Sequence, residues 1–151
     1  MATVNDIKKL RQETNAGIMD CRKALEESKG DLKKAAEWLR KKGIEKADKK
    51  AGRETGAGMV ESYIHATGKV GAIVEIGCET DFVARTPDFK KLTHEIAMQI
   101  ASMDPKDVET LLKQEYIRDS SMTIHDLIKG LIAKVGENIV VKKFYRLELG
   151  E

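Results

Sequence analysis

The sequence has few of the residues that carry redox, metal or membrane chemistry. It contains 2 cysteines, 2 prolines and 1 tryptophan among 151 residues. Cys21 and Cys78 form no CxxC pair, so we expect two buried, reduced thiols, with a catalytic thiol or a disulfide as the alternatives. No apolar run approaches the roughly 18 residues of a membrane-spanning helix. Residues 1–6 lack the basic and apolar regions of a signal peptide. We therefore expect a cytoplasmic protein with no membrane partner.

The side-chain patterns of the common enzyme classes are also missing. His65, His94 and His125 have no metal-ligand spacing. The sequence has no GxxxxGK[ST] motif and no strand followed by GxGxxG, so it predicts no phosphate-binding loop. Glu79 and Asp81 are close in sequence, but no nucleophile or base accompanies them. We expect no enzymatic activity, no metal site and no cofactor.

The charge is nearly balanced over the chain but unevenly placed. Charged residues make up 34% and hydrophobic residues 41%, which is typical of a soluble, helix-rich globular protein. The net charge is +2, yet residues 22–53 hold 12 basic and 6 acidic residues. This stretch is either a solvated helix face or a surface that attracts an acidic partner. Its only aromatic residue is Trp38, so we do not expect direct binding of nucleic acid.

The N-terminal part has the apolar spacing of three short helices. Thr3 and Asp6 resemble a capping box before the first helix. Residues 15–17 break that helix, Gly30 ends the second, and Gly43 ends the third. The pattern predicts a compact three-helix bundle.

The chain divides at a stretch rich in Lys, Ala and Gly. Residues 1–43 form the helical bundle, residues 44–56 a linker that is at most partly helical, and residues 57–151 a second module. In the second module the hydrophobic period changes from 3.6 to 2.

The second module has the element order β-β-α-α-α-β. The predicted strands cover residues 59–66, 69–78 and 139–149, and helices begin at Pro87, after Asp104, and at Thr123. The order predicts an α+β fold with a three-stranded, antiparallel or mixed sheet covered by helices on one face. Such a small sheet leaves edges that invite a partner strand.

Residues 78–86 place an acid and a large aromatic side chain in the turn between a predicted strand and helix. Local pattern favours Phe82 as a core residue, because large aromatic side chains are usually buried. The alternative is that Asp81 and Phe82 are presented to a partner, since connecting segments on rigid scaffolds often carry function.

Three long motifs resemble the signatures of a known family. They are LRQETNAGIMDCRKAL at 10–25, ETDFVAR at 79–85 and VGENIVVKKF at 135–144. In this order they resemble the elongation factor Ts family. The resemblance implies a guanine-nucleotide exchange factor of the translational GTPase elongation factor Tu. It also implies an N-terminal bundle like a ubiquitin-associated domain, a linker and an α+β core.

The resemblance further implies two contact regions with the GTPase. The bundle would dock on the nucleotide-binding domain of the GTPase through Arg11, Ile18, Met19 and Asp20. The second motif would intrude near the magnesium site through Thr80, Asp81, Phe82 and Val83. Phe82 would then be a wedge rather than a core residue.

The sequence also departs from the family pattern. Asn15 stands where the family usually has glycine, but Asn tolerates positive φ, so the turn should survive. Ile18 replaces a typical methionine. Long members have two related core subdomains and a helical coiled coil, whereas residues 104–121 are too few for that insertion. The resemblance to short members implies a homodimer, through sheet edges or through the strand at 139–149.

Two other functions remain as alternatives. The first is an adaptor that binds protein or RNA through the basic stretch at 22–53 and leaves Phe82 buried. The second is a catalytic role for Cys21 or Cys78.

Overall fold

The computed structural model describes residues 2–14 and 16–151. Met1 and Asn15 lie outside the described residues, so the turn expected at Asn15 stays a prediction. In chain order the elements are α1 (Val4–Thr14), α2 (Ile18–Glu27), α3 (Leu32–Asp48), β1 (Ala57–Ile64), β2 (Val70–Cys78), α4 (Asp81–Ala84), α5 (Pro87–Met103), α6 (Val108–Lys113), β3 (Glu115–Tyr116), β4 (Asp119–Thr123), α7 (Ile124–Val135) and β5 (Ile139–Glu148).

The first three helices form a bundle with its own small core. The expected capping box is confirmed, because the Asp6 backbone N–H donates to Thr3 Oγ1 at 3.2 Å and the Thr3 N–H donates to Asp6 Oδ2 at 3.2 Å. Gly30 has φ +82° after the end of α2, a conformation that glycine adopts without strain. The buried core of the bundle consists of Leu10, Cys21, Ala24, Leu25, Ala35 and Leu39.

Helix α3 is longer than its sequence pattern indicates. The expectation that it ends at Gly43 is wrong, because the helix continues to Asp48. A Cβ added at Gly43 would lie 3.0 Å from the Cβ of Ala133 on α7. Gly43 therefore permits the close approach of two helices rather than ending one. As a result, Ala47 reaches the core of the second module.

The second module has the α+β fold that the sequence predicts. Its main sheet has the order β1-β2-β5, and both pairs of strands are antiparallel. Gly68, with φ +71°, lies in the connection between β1 and β2. Helices α5 and α7 pack against one face of the sheet. The inward side chains of β2 are Ala72, Val74, Ile76 and Cys78, as the alternation predicts.

A small hairpin of β3 and β4 was not predicted. It is held on α5 by the buried side chain of Gln99, which donates to Glu115 O at 3.0 Å and accepts from the Ile117 N–H at 3.0 Å. Arg118 Nε lies 2.7 Å from Glu95 Oε2. Burial, and then the neighbouring Glu95, raise the pKa of Tyr116 to about 12. This hairpin occupies most of the region between α6 and α7.

The outer face of the main sheet is mostly apolar, and at the end where β1 turns into β2 none of the helices among residues 2–14 and 16–151 covers it. A groove of about 770 Å³ lies over β2 and β5 at this end. Elsewhere the outer face is partly covered, because the side chains of Thr55 and Lys142 lie over Gly77. The exposed apolar side chains of this outer face, together with the residue that follows β5, include Val60, Ile64, Ile73, Tyr145, Leu147 and Leu149.

In the part of the chain that the structure describes, none of the helices has the length and hydropathy to cross a bilayer.

Candidate protein-docking surface

Among the residues that the structure describes, Phe82 has the most exposed large hydrophobic side chain. It lies in α4, a helix of 4 residues between β2 and α5, and is 84% exposed. The expectation from local pattern that Phe82 is a core residue is therefore wrong. The inward positions of α4 are taken by Val83 and Ala84, which are 6% and 8% exposed, so Phe82 must point away from the core.

The other residues expected around Phe82 differ in their surroundings. Asp81 is exposed, and its side chain makes no hydrogen bond to another described residue. Val83 belongs to the core, so its side chain supports α4 from beneath and is not accessible in the free protein. The Thr80 side chain caps α4 by accepting from the Val83 N–H at 3.3 Å. Of the four residues at 80–83, only Asp81 and Phe82 thus have exposed side chains that make no hydrogen bond or core contact within the described residues.

Thr80 is also bound to the third motif of the sequence. Glu137 Oε1 accepts from the Thr80 backbone N–H at 3.0 Å, and Oε2 accepts from Thr80 Oγ1 at 2.8 Å. Hydrogen bonds to a carboxylate are stronger than those between neutral groups. The turn that carries Phe82 is therefore fixed from a segment 57 residues away in the chain. The sequence motif contains Glu137, but no spacing rule indicates this contact.

The segment between the bundle and the sheet is attached to the same region. Asn138, which is 3% exposed, donates from Nδ2 to Arg53 O at 2.9 Å and to Ala51 O at 3.3 Å. A bulge in β5 directs Lys142 away from the ladder, and its Nζ donates to Thr55 O at 2.6 Å. The segment at 49–56 is thus hydrogen-bonded to the core along its length.

The bundle is joined directly to the core as well. Asp48 Oδ1, in the last turn of α3, lies 2.7 Å from Lys129 Nζ on α7. The close approach of Gly43 to Ala133 and this ion pair both join α3 to α7.

The bundle residues expected to dock lie around the first turn of α2. Met19 is 70% and Ile18 is 55% exposed, although both are apolar. The neighbouring polar side chains are held in place. Arg11 Nε donates to Ala16 O at 3.3 Å, and Asp20 Oδ2 accepts from Lys46 Nζ at 3.0 Å. Two exposed apolar side chains beside oriented charges make this turn a candidate protein-docking surface.

The two thiols have the surroundings of structural cysteines. Cys21 and Cys78 are fully buried and free. Burial raises the pKa of both thiols, and Glu137 adds to the effect at Cys78. A raised pKa leaves little of the reactive thiolate at neutral pH. Among residues 2–14 and 16–151, no cluster of three His, Cys, Asp or Glu side chains could hold a metal ion.

Part of the basic stretch at 22–53 is used within the protein. Three of its cations form ion pairs with acids of the same chain: Arg22 with Glu26, Lys46 with Asp20, and Arg53 with Glu79. Asp20 and Glu79 lie outside the stretch, so two of these pairs reduce the charge that it offers to an acidic partner.

Comparison with known proteins places this arrangement in a family. Residues 79–151 match the family model described as "Elongation factor TS". A relative named Elongation factor Ts from Coprothermobacter proteolyticus is 45% identical, with 96% of each chain covered. The chain belongs to the elongation factor Ts family. Relatives of the same name from Methylacidiphilum infernorum and a Thermoanaerobacter species are 43% and 40% identical, with 99% and 100% of this chain and 96% of each relative covered.

Membership in this family gives the chain the role of a translation elongation factor. The alignment with the Coprothermobacter protein spans 190 positions, 39 more than the 151 residues of this chain. The chain therefore lacks internal segments that the relative has. The second and third motifs, which carry Phe82 and Glu137, both lie within the part that matches the family model.

Proposed function

We propose that this protein is a guanine-nucleotide exchange factor that promotes release of GDP from elongation factor Tu. The observation that carries the proposal is the exposure of Phe82 on a capped turn that is hydrogen-bonded to the core. A large apolar side chain held in water has no stabilising role in the free protein. It is the kind of residue that forms the centre of a protein interface.

Phe82 acts as a wedge. It enters between helices of the GTPase close to its magnesium site and displaces the groups that hold the metal and the phosphates. Asp81, whose side chain is unengaged in the free protein, accepts hydrogen bonds from the displaced groups and holds them in their new position. The protein takes no part in covalent chemistry and needs no cofactor or catalytic residue of its own.

The energy for exchange comes from differential binding. A factor that binds the empty GTPase more tightly than the loaded one shifts the equilibrium toward the empty form. A shift from nearly all loaded to nearly all empty needs about 5 kcal/mol of differential affinity. Burial of one phenylalanine side chain contributes about 1.5–3 kcal/mol. Phe82 therefore supplies part of this difference, and other contacts supply the rest.

The exposed pair on α2 supplies the second contact. Ile18 and Met19 dock on the nucleotide-binding domain of the GTPase, and Arg11 and Asp20 orient that contact. The bundle is joined to the core by the Asp48–Lys129 ion pair and by the close packing of α3 on α7. The bundle surface and Phe82 can therefore bind the GTPase at the same time without first ordering a flexible linker. Such preorganisation reduces the entropy lost on binding.

The active form is a homodimer. The outer sheet face exposes a group of apolar side chains around a groove of about 770 Å³, and a contiguous exposed apolar patch of this kind is typical of an interface. Two such sheets pack face to face at about 10 Å. A second copy of the chain is the occupant, because most outward strand positions at this end are apolar and the charged register partners Glu75 and Lys143 have opposite signs, so that two copies of the same face do not repel each other.

The test is the release of fluorescent GDP from elongation factor Tu, with and without the protein. Strong acceleration supports the proposal, and no acceleration by a dimeric, folded sample contradicts it.

The alternative of an RNA-binding adaptor predicts affinity for RNA that falls steeply as salt rises. A wedge contact predicts exchange that depends much less on salt. An exchange factor of this kind acts in the cytoplasm, where its GTPase is.

A further inference from the structure

The hydroxyl of Thr80 accepts one hydrogen bond and donates another. Its oxygen accepts from the Val83 N–H at the start of α4, at 3.3 Å. Its proton can then go only to the Glu137 carboxylate, whose Oε2 lies 2.8 Å away. The other carboxylate oxygen accepts from the Thr80 N–H. A carboxylate only accepts hydrogen bonds, so Thr80 must donate to Glu137 through both its N–H and its hydroxyl. The hydroxyl oxygen then remains free to accept from the Val83 N–H of α4.

Glu137 is itself held by both of its neighbours. Gly136 ends α7 with φ +76°, and its N–H donates to Ile132 O at 2.8 Å. Asn138 is buried, and its side chain is bonded to the carbonyls of Ala51 and Arg53. These contacts fix the backbone on both sides of Glu137, whose carboxylate is bonded to the α4 turn at Thr80. A helix of only 4 residues has no stability of its own and needs such an external support.

We propose that Glu137 is a positioning residue for nucleotide exchange, which acts through Thr80 to fix the orientation of α4 and so of Phe82. The inference rests on the proposed exchange function and adds a residue to it. Both carboxylate oxygens of Glu137 are engaged by Thr80, so Glu137 acts through that residue. Together with the buried Val83 and Ala84, its carboxylate fixes the direction in which Phe82 is presented.

The role predicts a particular kinetic signature. Removal of the carboxylate leaves Phe82 exposed but lets the turn take up other orientations, so fewer encounters displace the magnesium site. The Ile18 and Met19 contact on the bundle is untouched. The maximal rate of GDP release should therefore fall, whereas the concentration of factor that gives half of that rate should change little.

The experiment compares Glu137→Ala, Thr80→Val and the double variant in GDP release from elongation factor Tu at increasing factor concentration. Glu109→Ala is the matched control, because that glutamate is exposed on α6 and pairs only with Lys113. We expect about a tenfold lower maximal rate for Glu137→Ala, in keeping with the loss of hydrogen bonds to a charged group, and no change for the control. Because both residues act in one chain of bonds, the double variant should be no slower than the slower single variant.

Two results would overturn the inference while leaving the proposed function intact. The first is a Glu137→Ala protein whose maximal rate of GDP release equals that of wild type. The second is a double variant whose maximal rate falls by the product of the two single-variant losses. A wild-type protein without activity would instead contradict the proposed function itself. Glu137→Gln keeps one accepting oxygen and should give a maximal rate between those of wild type and Glu137→Ala. If Glu137→Ala does not fold, Glu137→Gln tests the positioning role in its place, and an unchanged maximal rate would overturn the inference.

Discussion

Glu79 Oε2 accepts a hydrogen bond of 2.6 Å from the backbone N–H of Asn138, 59 residues further along the chain. The same oxygen lies 3.6 Å from the guanidinium of Arg53. This contact joins the strand-to-helix turn, the start of β5 and the segment that follows α3. The turn that carries Phe82 and the segment that follows the bundle therefore both contact the core at Glu79 and Asn138.

The first prediction concerns the buried amide at this point. Asn138→Ala should lower the free energy of unfolding by about 1–3 kcal/mol, because the bonds to the carbonyls of Ala51 and Arg53 are lost at a buried site. Urea unfolding at a fixed protein concentration measures the change. Asn5→Ala is the control, since Asn5 is exposed on α1, and it should change stability by less than about 0.5 kcal/mol. Equal effects of the two substitutions would show that Asn138 does not hold the segment.

The second prediction separates the bundle contact from the wedge. Met19→Ala should raise the factor concentration needed for half-maximal GDP release about tenfold, because truncation of a central interface side chain costs on the order of 1–2 kcal/mol. The maximal rate should stay close to that of wild type. Val4→Ala is the matched control, because Val4 is as exposed as Met19 but lies on α1. An unchanged half-maximal concentration for Met19→Ala would remove Met19 from the docking surface.

The third prediction concerns the outer sheet face. Leu147→Glu should convert the dimer to a monomer, because a two-fold interface buries the new charge twice. Light scattering should give twice the 16.8 kDa of one chain for wild type and a single chain mass for the variant. Val4→Glu, an exposed apolar site outside the sheet, should stay dimeric. A monomeric wild type at assay concentration would contradict the dimer.

The fourth prediction concerns the two thiols. Under native conditions at neutral pH, iodoacetamide should label neither Cys21 nor Cys78, because both are buried and burial raises the pKa of each thiol above its usual value. In denaturant both should be labelled, and mass spectrometry measures both states. Rapid native labelling of either residue would support the alternative of a reactive thiol.

Local signals in the sequence were sufficient for most element boundaries. The helix start expected at Pro87 is confirmed, and the Thr86 side chain caps it by accepting from the Phe89 N–H at 3.2 Å. Thr123 and Asp126 form the capping box that begins α7, and Gly136 follows its end. These signals succeed because a cap is a contact between residues at most four positions apart.

Several failures involve partners far away in the chain. Gly43 has the composition of a helix end, but its role is set by Ala133 on α7. The β3–β4 hairpin depends on the buried amide of Gln99 in α5. The exposure of Phe82 depends on which residues of α4 face the core, and local pattern favoured the opposite. The family resemblance gave the exposed orientation of Phe82, but not the support from Glu137.

The central claim is that Phe82 drives exchange, and GDP release from elongation factor Tu by Phe82→Ala tests it most directly. Ile117→Ala is the matched control, because Ile117 is an exposed apolar residue between β3 and β4, away from both proposed contacts. The account predicts that wild type and the control accelerate release strongly and that Phe82→Ala loses at least about tenfold of the maximal rate. A Phe82→Ala protein that accelerates release as well as wild type would contradict it.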